Sequence, residues 1–224
     1  MSKHRSDQEI KNIIFDFGGV IINISHGKVE SAFRNLGVSH FQDMFNQAVQ
    51  SELFRKFEKG LVTPAGFRSA LRQLTGLKVT DTMLDDAWNQ IIGDYPPERI
   101  TLLGEIKQNY RLFLLSNTNS IHYDYYIGKF SNEFGFEFRE LFEGTFWSFQ
   151  RGKRKPDAEA FLDVVETHNL DPVRTLFVDD SNQNIMAAQQ TGLKALHLMD
   201  GLEITELFRH GFLKPDFHLY KHPE

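Results

Sequence analysis

The residues able to do chemistry fall in four short segments: Asp16, Ser116-Asn117, Lys155 and Asp179-Asp180. All but Lys155 stop an apolar run. Ile10 to Phe15 ends at Asp16 and is broken by Gly18-Gly19, Leu112 to Leu115 ends at Ser116-Asn117, and Thr175 to Val178 ends at Asp179-Asp180. Short apolar runs closed in this way read as buried parallel strands feeding loops. In an open parallel sheet, ligands bind in the crevice at the carboxyl ends of the strands, which is where these polar residues would gather. Carboxylates converging there repel one another unless a cation or a proton intervenes, and an all-oxygen donor set favours a hard ion such as magnesium. Lys155 adds fixed positive charge. A nucleophile, a metal site and a cation are what phosphoryl transfer needs.

The elements that must position these residues follow from the periodicity. Lys194 to Leu198 reads as a further strand, and helical patterns run over Pro97 to Asn109, Ala158 to His168 and Asn182 to Thr191, the last with Gly192 as C-cap. Strands alternating with helices predict an α/β fold with a doubly wound, Rossmann-like parallel sheet. Residues from about Lys28 to Asp94 interrupt the alternation with helical spacing only: Val29, Phe33 and Leu36, then Phe67, Leu71 and Leu74 behind the N-terminal signal Thr63-Pro64. The expected organisation is a catalytic core of residues 1–24 and 96–224, with a small all-helical cap of residues 25–95 inserted after the first strand and Tyr95-Pro96-Pro97 as the hinge. One short helical pattern is expected after Gly201, before Pro215.

Composition narrows the function classes. Lys and Arg total 25 against 30 Asp and Glu, a formal charge of −5 that gives no electrostatic reason to expect nucleic acid or an anionic membrane as partner. The chain has no cysteine, which closes thiolate chemistry, disulfides and zinc–thiolate sites together. No apolar run approaches a spanning helix or a signal peptide, so a cytoplasmic location is expected. The 21 phenylalanines are spread along the chain and read as core and cap packing.

The ordered segments FDFGGV, LLSNTN, GKRKPD and FVDDSNQN, from Phe15 to Asn184, resemble the motifs of the haloacid dehalogenase superfamily, whose helical cap is inserted at the same place. The resemblance implies a magnesium-dependent phosphohydrolase acting on a small phosphorylated metabolite. By position, Asp16 resembles the nucleophile that forms an aspartyl-phosphate, and Ser116, with Asn117, the group that holds the phosphoryl oxygens. Lys155 resembles the lysine that orients the nucleophile and neutralises phosphate. Asp180 resembles the second metal carboxylate, Asp179 an alternative or outer ligand, Asn184 a supporting hydrogen-bond partner, and the Gly18 carbonyl the remaining protein ligand. The D-x-G-x-V first motif is similar to the glucose-1-phosphate phosphatase-like branch, which implies a sugar phosphate substrate.

The phosphatase pattern carries an aspartate two residues after the nucleophile, which protonates the leaving oxygen and later activates water; here that position is Gly18. General acid–base help is worth roughly 10²–10⁴ in rate, so slow turnover, a substitute group or a good leaving group is expected. His26 and His122 are the candidate substitutes. Two alternatives stay open: a catalytically weak member that binds a phosphometabolite or a protein partner, and a 2-haloacid dehalogenase, which needs no proton donor but also no magnesium-type carboxylate at Asp180. His218 and His222, four apart in the tail without a third ligand, do not suggest a zinc site.

Overall fold

The computed structural model describes residues 9–50 and 52–215. Five parallel strands form the sheet: β1 (Asn12–Phe15), β2 (Arg111–Ser116), β3 (Gly144–Trp147), β4 (Thr175–Asp179) and β5 (Lys194–His197), in the order β3-β2-β1-β4-β5. The first strand is therefore central, its Phe15 level with Leu114 on one side and Val178 on the other. Alternate residues serve opposite faces. Ile13, Phe15, Leu112, Leu114, Leu176 and Val178 enter one core, while Ile14, Phe113, Leu115 and Phe177 enter another. Because both faces are covered, the strands are apolar throughout rather than alternating, which is why they stand out in the sequence.

Helices α6 (Pro97–Ile106) and α7 (Ser120–Phe134) contribute Leu103, Ile106, Tyr126 and Phe130 to the first core. Helices α9 (Ala158–Thr167) and α10 (Asn182–Gln190) cover the other face through Phe161, Val164, Ile185 and Ala188. The short helix α8 (Ser148–Arg151) follows β3 directly. The expected doubly wound sheet is present.

Between β1 and α6 the described residues form five helices: α1 (His26–Asn35), α2 (Phe41–Gln50), α3 (Leu53–Glu58), α4 (Pro64–Thr75) and α5 (Asp81–Asn89). Helix α4 begins as its sequence requires, with Thr63 Oγ1 accepting from Gly66 N at 3.1 Å and proline at the first position, and ends at Gly76 in the left-handed region. These helices share a core of their own, built from Phe33, Phe57, Phe67 and Leu84 among others, into which Ile121 of α7 also reaches. The two segments joining them to the sheet run side by side: Asn23 N donates to Asp94 O, Gly93 N to Asn23 O and Ser25 N to Ile91 O.

Several boundaries differ from the sequence expectation. Ile10 and Lys11 precede the first strand, and helix α6 ends at Ile106, where Asn109 and Tyr110 turn back onto its last carbonyl. Strand β3 was not foreseen, because its four residues begin with a glycine and lie at the sheet edge; a side chain at Gly144 would collide with the ring of His168. The tail holds the helix α11 (Ile204–Leu207) and then an unforeseen two-stranded hairpin, β6 (Phe208–Arg209) with β7 (Phe212–Leu213). Tyr95 is a core residue rather than a free hinge. It is 1% exposed, donates its hydroxyl to Tyr126 O at 3.1 Å and packs edge-on against Phe130. Among the described residues no helix is long and apolar enough to cross a membrane.

Phe130 is fully buried where Tyr95, Phe134, Phe136 and Phe138 meet. Phe130→Ala is expected to lower the unfolding free energy by about 3–5 kcal/mol in urea titration, since the surrounding rings cannot close the void.

Candidate active site

Asp16 follows β1, Ser116 ends β2, and Asp179 ends β4 with Asp180 next, so adjacent strands bring all four to one edge of the sheet. Asp16 N donates to Val178 O, which extends the strand pairing as far as the carboxylate. Lys155 arrives from the loop between α8 and α9. Its ammonium, 1% exposed, donates to Asp16 Oδ1 and to Asp179 Oδ2, both at 2.6 Å, and lies 5.3 Å from the centre of the Phe177 ring. A buried cation is tolerable here because its one charge is paired and its ammonium hydrogen-bonded to both carboxylates.

Asp179 is hydrogen-bonded on both oxygens. Oδ1 accepts from Ser181 N at 2.7 Å, and Asn184 Nδ2 donates to both, at 3.1 and 3.0 Å. Asn184 thus meets the cluster only through Asp179. The Asn117 amide is engaged with the main chain of Lys155, donating to its carbonyl at 2.8 Å and accepting from its N–H at 2.9 Å. Its work is to fix the lysine loop to the end of β2. Ser116 and Asp180 both face the cavity above the sheet.

Carboxylate oxygens of Asp16, Asp179 and Asp180 lie within 4.8 Å of one another, so one cation can be shared among them. Burial pushes the Asp16 carboxyl up to about 7 against the pull of Lys155, and the neighbouring Asp179 adds to the rise. Burial, then Asp179, also raises Asp180. Lys155 is held above its ordinary range because its two carboxylate partners outweigh its burial.

Gly19 is a site residue that the sequence signalled only as a strand breaker. It has φ +80°, and a Cβ there would collide with Asp180 Oδ2, so the loop after Asp16 and the Asp180 carboxylate can meet only over a glycine. At Gly18 the nearest atom to an added Cβ is Ile24 Cγ2 at 3.3 Å, and φ is not in the left-handed region. The loop turns through Phe17, whose carbonyl accepts from both Ile21 N and Ile22 N.

The two candidate substitute acids part company here. His122 is half-buried, and desolvation lowers it to about 4, so it is neutral near pH 7. Asn119 Nδ2 donates to its Nδ1 at 3.0 Å, which leaves Nε2 to donate to Trp88 O at 3.2 Å; with both nitrogens engaged it has no proton to give. His26 starts α1 at the cavity wall and is exposed. His218 and His222 lie outside the described residues.

The family comparison follows this geometry. The sequence pattern of the haloacid dehalogenase-like hydrolases matches residues 10–192, from the approach to β1 to the glycine before β5. The chain belongs to that family. Among haloacid dehalogenase-like relatives, it is 30% identical over 195 residues to a D-ribitol-5-phosphate phosphatase of Bacteroides thetaiotaomicron, covering 87% of this chain and 94% of that one. It is 30% identical over 204 residues to a sesquiterpene phosphatase of Aspergillus oryzae, covering 86% of this chain and 91% of that one. A haloacid dehalogenase family enzyme of Bacteroides thetaiotaomicron, solved with magnesium and inorganic phosphate, superposes with a TM-score of 0.84 at 35% identity, over 89% of this chain and 100% of that one.

The Asp16 carboxyl titrates above its ordinary 3.8, so with a chelator present the fold retains this contribution at low pH and loses it as the pH rises through about 7. Lys155→Met removes the cation shared by two buried carboxylates. It is expected to cost about 3–5 kcal/mol at pH 8 and clearly less at pH 5, where Asp16 holds its proton, read by urea unfolding at both pH values.

Proposed function

We propose that the chain is a magnesium-dependent phosphohydrolase that cleaves a small phosphorylated metabolite through an aspartyl-phosphate on Asp16. The observation that supports this most directly is the buried Lys155 shared between Asp16 and Asp179, with Asp180 and Ser116 beside it at the ends of neighbouring strands. Kinship to two phosphatases and to an enzyme holding magnesium and phosphate supports the same reading.

The donor set suits magnesium, being three carboxylates within reach of one point and wholly oxygen. Asp16, Asp180 and the Gly18 carbonyl are the groups that would hold it, while Asp179, already bonded on both oxygens, acts by orienting Lys155. When bound, the ion supplies positive charge against the phosphoryl oxygens. In our reading Ser116 donates to one of those oxygens and Lys155 neutralises another, so the phosphorus sits in line with an Asp16 oxygen. Asp16 forms the new P–O bond as the ester P–O bond breaks. The departing alkoxide takes a proton from water, and the hydroxide so formed attacks the aspartyl-phosphate, returning Asp16 and releasing inorganic phosphate.

Residues 25–95 act in this scheme as a cap over a core of residues 1–24 and 96–224. Ion pairs Glu58–Arg154 at 2.8 Å and Lys59–Asp157 at 2.8 Å bridge α3 to the loop that carries Lys155. The relatives named above act on a polyol phosphate and on a sesquiterpene phosphate; the first supports a sugar-phosphate substrate. Gly18 favours one second reading, a weak enzyme that serves to bind its phosphometabolite.

Phosphate release from sugar phosphates, acyl phosphates and nucleotides, with magnesium and with chelator, separates the two. The expected result is magnesium-dependent release that falls by at least ~10³ in Asp16→Asn, the scale on which a lost nucleophile registers. A tenth of the activity retained in that variant, or no release at all from folded protein, would overturn the assignment. Gly18→Asp, which only Ile24 crowds, is expected to raise turnover of alkyl phosphates by about 10²-fold and to shorten the life of the phosphoenzyme in rapid-quench trapping.

A further inference from the structure

The cavity above Asp16 has a volume of about 700 Å³ and continues from the phosphoryl site into the cap helices. Its two ends differ in chemistry. At the floor stand Asp16, Ser116, Lys155 and Asp180; the upper wall is formed by Ile24, Phe41, Phe45, Phe54, Phe57 and Trp88. The rings form one continuous surface. Phe41 stacks on Phe45 at 5.9 Å, Phe45 lies 5.0 Å from Phe54, Phe54 stacks on Trp88 at 5.2 Å, and Trp88 stacks on His122 at 5.0 Å.

Polar side chains on this upper wall are mostly engaged with the protein itself. His122 and Asn119 bond each other, Glu58 pairs with Arg154, Glu30 with Arg34, and Gln42 Nε2 donates to Asn46 Oδ1. A polyol chain entering here would surrender water to its hydroxyls and meet mainly hydrocarbon, whereas an apolar chain would lose nothing by leaving water. Ile24 is 39% exposed at the mouth of the apolar part, beside the loop that bears Gly18, and Phe45 and Phe54 are half-buried along it. Apolar side chains of this size stay exposed to a cavity at a cost unless something apolar covers them.

We propose that the cap chamber gives this site a further activity, hydrolysis of monophosphates of apolar alcohols of the prenyl or terpenoid kind, with the hydrocarbon lodged against the Phe41–Phe45–Phe54–Trp88 surface. The proposal rests on the phosphohydrolase reading and sets an apolar alcohol above the sugar phosphate as the preferred organic group. The balance is that of any phosphomonoester: the P–O bond to the alcohol breaks, water supplies one proton to the alcohol oxygen and one hydroxyl to phosphorus.

The test uses the full chain with magnesium and compares kcat/KM for geranyl monophosphate, D-ribitol 5-phosphate and acetyl phosphate, the last too small to use the chamber. Geranyl monophosphate is expected to exceed D-ribitol 5-phosphate by at least ~10-fold, a conservative figure where each buried methylene can count for that much. Phe45→Asn and, independently, Ile24→Asn are expected to lower the geranyl-to-acetyl ratio by about 10-fold, with folding checked by circular dichroism. Ribitol phosphate equal to or better than geranyl monophosphate, or a ratio unmoved in both folded variants, would overturn the proposal while acetyl phosphate turnover left the phosphohydrolase standing. Absence of turnover on all three would overturn both.

Discussion

Everything at this site depends on one buried ammonium. Lys155 sits where two carboxylates would otherwise face each other across the central strands, and burial alone would drive one of them, Asp16, to hold its proton. The proposed attack by Asp16 needs the ionised form, which requires the lysine to lie close enough to favour the anion without being drawn away to solvent. The protein achieves this by constraint at several points. Asn117 clamps the lysine's own main chain, Asn184 and Ser181 N fix Asp179, and Asp179 in turn fixes the ammonium. Removing any of these frees a charge in a place where a free charge is costly.

Much of this was legible in the sequence because parallel strands covered on both faces are apolar at every position, and the residue that ends each one is thereby marked. Asp16, Ser116 and Asp179-Asp180 were found in that way, and their convergence followed from the rule that such strands end on one edge. Lys155 was reachable only through its motif, since a lysine before proline in a loop has no periodic signature. What the sequence withheld was the division of labour. Nothing in the letters distinguishes an asparagine that meets phosphate from one that braces a loop, and Asn117 proves to be braced on the Lys155 main chain. The edge strand β3 escaped for a related reason: its opening glycine is required by the His168 ring packed against it, a contact between residues far apart in the chain.

The histidines illustrate how burial overrides residue type. His26 and His122 were equivalent candidates by composition, yet one stands exposed at the cavity wall and the other is enclosed in an aromatic stack with both nitrogens committed. The enclosed one has become part of the wall. The same logic applies to Gly19, where the absence of a side chain is the functional property, because it lets the Asp180 carboxylate lie against the main chain of the loop that follows Asp16.

The paired segments around Asn23 and Gly93 carry an implication for how such a protein changes over time. The chain leaves the sheet and returns to it at neighbouring points, locked by hydrogen bonds between residues 23–25 and 91–94. To the sheet, the five intervening helices are a loop whose ends already touch, so their length and content add little to the entropy of closing it. Insertions, deletions or wholesale replacement of those helices can therefore be absorbed without shifting the register of β1 against β2 and β4. Selection can rewrite the helices that wall the cavity while the charges at the strand ends stay where they are, which makes change in the upper cavity a local event in this chain rather than a rebuilding of its core.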